Sequence, residues 1–166
     1  MKLSKYVAYV MKSLKEKDKY ARTFVQKIIY FAIPEDERRR LFKPYLYGPY
    51  SDAVQRLVQF LEKEDRLMNI WSTRVEDPFY EKVDNLINWI NENNLKPKDI
   101  AYFSKIHFID SLAKKKGITD ENKLADFIKE KGYLFGWKEI YTKKDVDLID
   151  NIKKVHNIIG KAKCTP

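Results

Sequence analysis

Apolar residues recur along most of this chain at intervals of three and four. Leu3, Val7, Val10 and Leu14 predict a helix over residues 3–16. Thr23-Phe24-Val25-Gln26 reads as a capping box in which Gln26 reaches back to the Thr23 amide. It opens a helix with Val25, Ile28, Ile29 and Ala32 on its apolar side, stopped at Pro34. Glu35 to Arg40 follows as a charged loop. Pro44 makes the run Leu41–Tyr47 an edge strand or extended segment. Ser51 is the expected N-cap of a helix over 52–66 that buries Val54, Leu57, Val58 and Leu61. Residues 67–75 are rich in β-formers and partly alternating, which predicts a short strand.

Further along, Asp77-Pro78 starts a helix carrying Phe79, Val83, Leu86, Ile87 and Ile90. Lys96-Pro97 opens another, closed by Gly117. Thr119 is the expected cap of a helix with Leu124, Phe127 and Ile128 that ends near Gly132, and the aromatic segment 133–137 is expected to pack on the core. Thr142-Lys143-Lys144-Asp145 reads as a second capping box before a last helix with Val146, Ile149, Ile152 and Val155, ending at Gly160. The expected fold class is therefore mainly α. The order helix, helix, extended segment, helix, strand over residues 3–75 resembles a winged-helix module, whose third helix can enter the major groove. Residues 1–76 form the winged-helix-like part, and helices within 77–166 pack on it as one compact unit.

Composition narrows the classes. The 166 residues are 44% hydrophobic, enough to bury a core, which excludes wholesale disorder. The single cysteine, Cys164, excludes a disulfide framework and a cysteine-based zinc site. No apolar run approaches a membrane span, and the N-terminus leads into an amphipathic segment, so a cytoplasmic protein without a membrane partner is expected. The formal charge of +9 is spread over both halves of the chain. It fits either a nucleic-acid footprint or plain lysine-rich solubility.

Three groups of residues carry candidate chemistry. On a helix over 52–66, Gln55, Arg56, Gln59, Lys63 and Arg66 fall opposite the apolar face, and these are types that pair with base edges or phosphates. Asp52 and Glu62 lie on or beside that face and would repel phosphate. Arg38, Arg39 and Arg40 with Lys43 form the densest basic cluster, either set against phosphates or neutralised by the preceding Glu35-Asp36-Glu37. Tyr45, Tyr47 and Tyr50 around Gly48-Pro49 either face a partner or wall the core. His107 and Asp110 stand three apart on a helix and His156 is the other histidine, but no nucleotide-loop, zinc-protease or nucleophile-elbow pattern occurs. No enzyme, metal or cofactor is expected.

Gln26-Lys27-Ile28-Ile29-Tyr30-Phe31, followed by Phe42-Lys43-Pro44-Tyr45-Leu46-Tyr47-Gly48-Pro49-Tyr50-Ser51 and an amphipathic helix, resembles the YwgA-like family. It is similar to the wider Panacea (SocA-like, phage-associated) antitoxin domains, which share a QKLxYF helix and a YxYGPYS turn in that order. Residues 6–66 carry the match. The resemblance implies a mainly helical domain around a helix–turn–helix or winged-helix-like element, found in small regulators or antitoxins with no catalytic chemistry. Residues 33–41 depart from it in being short and charged, and no second wing strand is evident after Val75. The leading expectation is a non-enzymatic regulator that binds duplex DNA through helix 52–66 and the basic loop 38–43. The alternative is an antitoxin-like module that docks on a protein partner.

Overall fold

The computed structural model describes residues 2–162, so Cys164 lies outside the described residues. Ten helices and one two-stranded antiparallel sheet make up the described chain. None of these helices is long and apolar enough to cross a membrane. Helix α1 spans Leu3–Glu16 and α2 spans Arg22–Ala32. The N-cap of α2 is Ala21, and no side chain caps the helix. Thr23 is thus already inside the first turn, and the expected capping box does not form because the Gln26 amide is engaged elsewhere.

The stretch expected as a charged basic loop is helix α3, Glu35–Leu41. Acidic residues fill its first turn and arginines its last, which suits the helix dipole, and Glu35–Arg39 and Glu37–Arg40 pair along its surface. Strands β1 (Lys43–Tyr45) and β2 (Gly48–Tyr50) form a hairpin with Leu46 and Tyr47 at its tip. Leu46 and Tyr47 keep negative φ, so the reversal falls on Gly48 at φ +102°, a conformation that glycine adopts without a Cβ penalty.

Ser51 caps the next helix, its hydroxyl accepting from the Val54 amide at 3.2 Å. That helix, α4, ends at Glu62 rather than continuing to 66, where Arg22 and Tyr20 hold the Glu62 carboxylate. The expected strand over 67–75 is instead helix α5, Asp65–Trp71, packed on α1. The β-forming composition of this segment is outweighed by helical spacing, which puts Leu67, Met68 and Trp71 on one buried or half-buried side. The hairpin therefore precedes α4, and no strand follows α4 among the described residues.

Helix α6 (Pro78–Glu92) starts as expected, with the Asp77 carboxylate accepting from the Phe79 amide. Helix α7 spans Pro97–Lys115, and Gly117 at φ +73° closes it, with the Ile118 amide bonded to the Ala113 carbonyl. Asp120, not Thr119, caps α8 (Glu121–Leu134), because its carboxylate reaches the Lys123 amide. Thr142 is the C-cap of α9 (Lys138–Tyr141) and donates its hydroxyl back to the Lys138 carbonyl, so it does not cap the helix that follows. The last helix, α10, begins at Asp145 and runs to Ala162, past Gly160. Of the aromatic segment 133–137, Trp137 is buried, whereas Tyr133 and Leu134 are exposed.

Two apolar clusters fill the interior. The first joins α1, α2, α4 and α6, with Met68 from α5, and the second joins α7 to α10. Helix α7 supplies Ile100 to the first and Ile106, Ile109 and Ala113 to the second, and α10 likewise divides between Ile158 and Val155.

Candidate functional site

Helix α2 is buried along nearly its whole length, and Gln26 and Lys27 lie in its middle. Polar side chains at such depth require partners, and the exposed backbone edge of β2 provides them. Gln26 Nε2 donates to the Ser51 carbonyl at 2.9 Å and its Oε1 accepts from the Ser51 amide at 3.0 Å. Lys27 Nζ donates to the Pro49 carbonyl at 2.6 Å. The other edge of β2 pairs with β1, so these two side chains stand where a third strand would. Burial, with a smaller contribution from the Lys105 charge, pulls the Lys27 ammonium down to about 7.

Two further elements hold the hairpin. The indole N–H of buried Trp137 donates to the Tyr45 carbonyl at 2.7 Å. Gly48 lies so close to α7 that an added Cβ would stand 3.0 Å from Lys105 Cγ and 3.1 Å from Ser104 Oγ. On this support the tip is left bare: Tyr45 is 47%, Leu46 67% and Tyr47 72% exposed. Gly48 and Pro49 are buried, and Tyr50 is half-buried with its ring edge-on to Tyr45. The Tyr47-Gly48-Pro49-Tyr50 turn is therefore scaffold at Gly48 and Pro49 and surface at Tyr47, as is Tyr45 before it. Beside the tip, Tyr47, Lys98, Tyr102, Lys105 and Lys143 line a cavity of about 530 Å³. In its wall the Tyr102 hydroxyl is buried without a hydrogen-bond partner among the described residues, and burial pushes that phenol up to about 12.

The basic candidates separate into two groups. Arg38 is spent on structure: its Nε donates to the Tyr30 carbonyl at 2.6 Å, and its Nη2 to the carbonyls of Ile33 at 3.1 Å and Phe31 at 3.4 Å, closing the end of α2. Arg39 and Arg40 are exposed but paired with Glu35 and Glu37, leaving Lys43 as the unpaired cation of that cluster. On α4, Arg56, Gln59 and Lys63 are exposed and Gln55 is half-buried, and Arg66 stands in the first turn of α5. No side chain of these five has a hydrogen bond or ion pair with any described residue. Phe60 shares the outer side of α4, stacked on Trp71.

His107 and Asp110 do not pair with one another. His107 Nδ1 lies 2.7 Å from the Tyr30 hydroxyl, and Asp110, fully buried, takes Lys114 at 3.3 Å and His156 at 3.4 Å. Burial, then the charges of Arg38, Lys114 and His156, push the His107 imidazole down to about 3. No group of three or more potential ligands able to hold a metal ion occurs among the described residues. Sequence reasoning missed the roles of Lys27, Tyr30 and Trp137. The usable signal was a Gln-Lys pair inside an otherwise apolar helix, which demands acceptors and donors from elsewhere. Compared with protein-family models, curated proteins and solved structures, the chain matches none.

Proposed function

We propose that this protein is a non-catalytic docking module, antitoxin-like in mode, that binds a protein partner through the β1–β2 hairpin. The observation that carries this reading is the combination of a bare apolar tip with a rigid support. Exposed aliphatic and aromatic side chains on one loop favour association. The clamps from Gln26, Lys27 and Trp137 mean that little ordering cost is left to meet on binding. The Tyr102 hydroxyl, unpartnered among the described residues, and the ammonium groups of Lys98 and of Lys143, the latter over the Tyr102 ring, give an arriving segment polar groups to satisfy. The resemblance of residues 6–66 to antitoxin domains supports the same reading.

The test is affinity purification from the native host with the full chain and with the double variant Leu46→Ser, Tyr47→Ala. A stoichiometric partner should accompany the wild type and be lost from the variant, whose melting temperature stays within a few degrees. Equal recovery with both, or recovery of the wild type alone at every salt concentration, overturns the proposal.

A second reading, duplex-DNA binding, rests on the unpartnered Arg56, Gln59, Lys63 and Arg66. Here α2 and α4 act as a helix–turn–helix-like pair with α3 and the hairpin inserted between them, in place of a winged-helix arrangement. It is the weaker reading because Arg38, Arg39 and Arg40, expected to assist, are committed within the chain. Charge reversal at Arg56 and Lys63 should weaken duplex binding and flatten its salt dependence.

A further inference from the structure

Away from the hairpin tip, two adjoining cavities of about 190 and about 390 Å³ open between α3 and α7, and both are lined by Glu35, Arg38, Arg39, Ser111 and Lys115. The smaller is walled by Phe42, Phe108 and Leu112; the larger adds His107 and Lys114. Most of the carboxylate chemistry near the cleft is already used. Glu35 is held by Arg39 at 2.8 Å, and Asp110 by Lys114 at 3.3 Å.

What remains is a set of donors without acceptors. Arg38 forms no ion pair with any described carboxylate; its bonds go to neutral carbonyls, and its Nη1 donates to none of the described residues. A half-buried guanidinium bonded only to neutral carbonyls is costly, and burial lowers its affinity for its proton despite the Glu35 charge nearby. The Ser111 hydroxyl and the Lys115 ammonium have no partner among the described residues. His107 supplies a fourth donor by elimination. The Tyr30 hydroxyl is fully buried, and His107 Nδ1 is its one partner, so it must donate to Nδ1 or leave its proton orphaned. Nδ1 is then the acceptor nitrogen, and the ring proton sits on Nε2.

We infer that this cleft binds a small organic anion. Its carboxylate or phosphate head is held by Arg38, His107, Ser111 and Lys115, and its apolar body lies against Phe42, Phe108 and Leu112. The Arg38 Nη1, the one guanidinium nitrogen not bonded to a carbonyl, can make a charge-assisted hydrogen bond to either head group. The smaller cavity equals the liquid volume of about six waters at roughly 30 Å³ each, which is room for one ring or a short branched chain. The donors face a ligand rather than a macromolecule because they line a recess between two helices. Lys43 and Pro44 at the start of β1 border the smaller cavity, but the exposed tip residues Leu46 and Tyr47 line neither, so neither proposal falls with the other.

Calorimetric titration of the full chain with benzoate, phenyl phosphate, inorganic phosphate and benzamide tests it. One or both organic anions should bind 1:1 with a Kd of about 1 mM or tighter. Benzamide, isosteric with benzoate but neutral, should bind at least tenfold more weakly. Inorganic phosphate tells whether the head group suffices, and binding of phosphate with no binding of either organic anion would overturn the proposal. Leu112→Trp fills the apolar half and should abolish organic-anion binding. Lys115→Glu and Ser111→Ala, both on the accessible side of α7, should weaken it at least tenfold and about threefold, and they carry the test should the tryptophan variant fail to fold. Benzamide binding equal to benzoate, no binding of either organic anion at about 10 mM, or undiminished affinity in Lys115→Glu would each overturn the proposal.

Discussion

Gln26 and Ser51 satisfy one another twice, amide to amide, across 25 positions of the chain. A single side chain thereby reproduces the donor and acceptor pattern of a neighbouring strand. Replacing Gln26 with Leu removes both bonds: the Ser51 carbonyl keeps the Gln55 amide, but the Ser51 amide is left buried and unpaired, at about 1–3 kcal/mol. Chemical denaturation should register a loss of about 1–3 kcal/mol on that basis. Gln26→Glu should be worse at pH 7 than at pH 4, because the ionised carboxylate cannot donate to the Ser51 carbonyl.

Lys27 makes stability rise with pH. Its ammonium is drawn down to about 7 in the folded chain, against an ordinary value of 10.5. Between those limits the unfolded chain binds more protons, so folding is favoured as pH increases. Below about 7 the cost of charging Lys27 is fully present, and above 10.5 it is gone. At about 1.4 kcal/mol per unit, the gain is on the order of a few kcal/mol. Denaturation of wild type and Lys27→Met from pH 7 to 9.5 should show this slope in the wild type alone. Parallel curves would mean that Lys27 is charged throughout.

His107 acts in the acid range with the same sign. Its folded value of about 3 lies below the ordinary 6.5, so the unfolded chain takes up its proton first as pH falls. Stability contributed by the neutral ring is complete above 6.5 and drains away towards pH 3. In His107→Gln, whose side-chain carbonyl can still accept from the Tyr30 hydroxyl, melting temperature should vary less between pH 6.5 and 4 than in the wild type. A histidine proton resonance titrating near 6.5 and assigned to His107 would contradict this.

Gly132 is a packing position. A Cβ there would sit 2.6 Å from Ile140 Cγ2 and 2.9 Å from Ile140 Cβ, where α8 crosses α9. Gly132→Ala gains helix propensity of up to about 1 kcal/mol but overpacks the crossing by about 1–3 kcal/mol. The net expectation is destabilisation, and Gly132→Ala with Ile140→Val should recover part of it.

How far the fold could be read from the chain varied with the kind of signal. Helix α1 was legible to the residue because Leu3, Val7, Val10 and Leu14 all face one core. The Ser51 and Asp77 caps were legible because each serves an amide only two or three residues further along the chain. Helix α3 was hidden by its charge, although the acidic-to-basic gradient from Glu35 to Arg40 is itself a helix signal. Helix α5 was hidden by its β-forming composition: Ile70 is exposed and Met68 is its one buried residue, so partial alternation could mimic a strand. The paired Gln-Lys and Gly-Pro-Tyr segments were visible as an unusual pattern. That they bind each other was not, because hydrogen bonds between segments leave no periodicity. The same holds for Tyr30 and His107, which lie 77 positions apart.

Helix α7, which lends one stretch of side chains to each apolar cluster, has a consequence for cooperativity. Opening either half would strip water-excluding neighbours from a helix that the other half still needs. Partial unfolding is then penalised on both sides, and the two clusters should melt as a single transition. In hydrogen exchange the amides of α7 between Ile100 and Ala113 should be the slowest in the molecule, exchanging only when the whole chain opens.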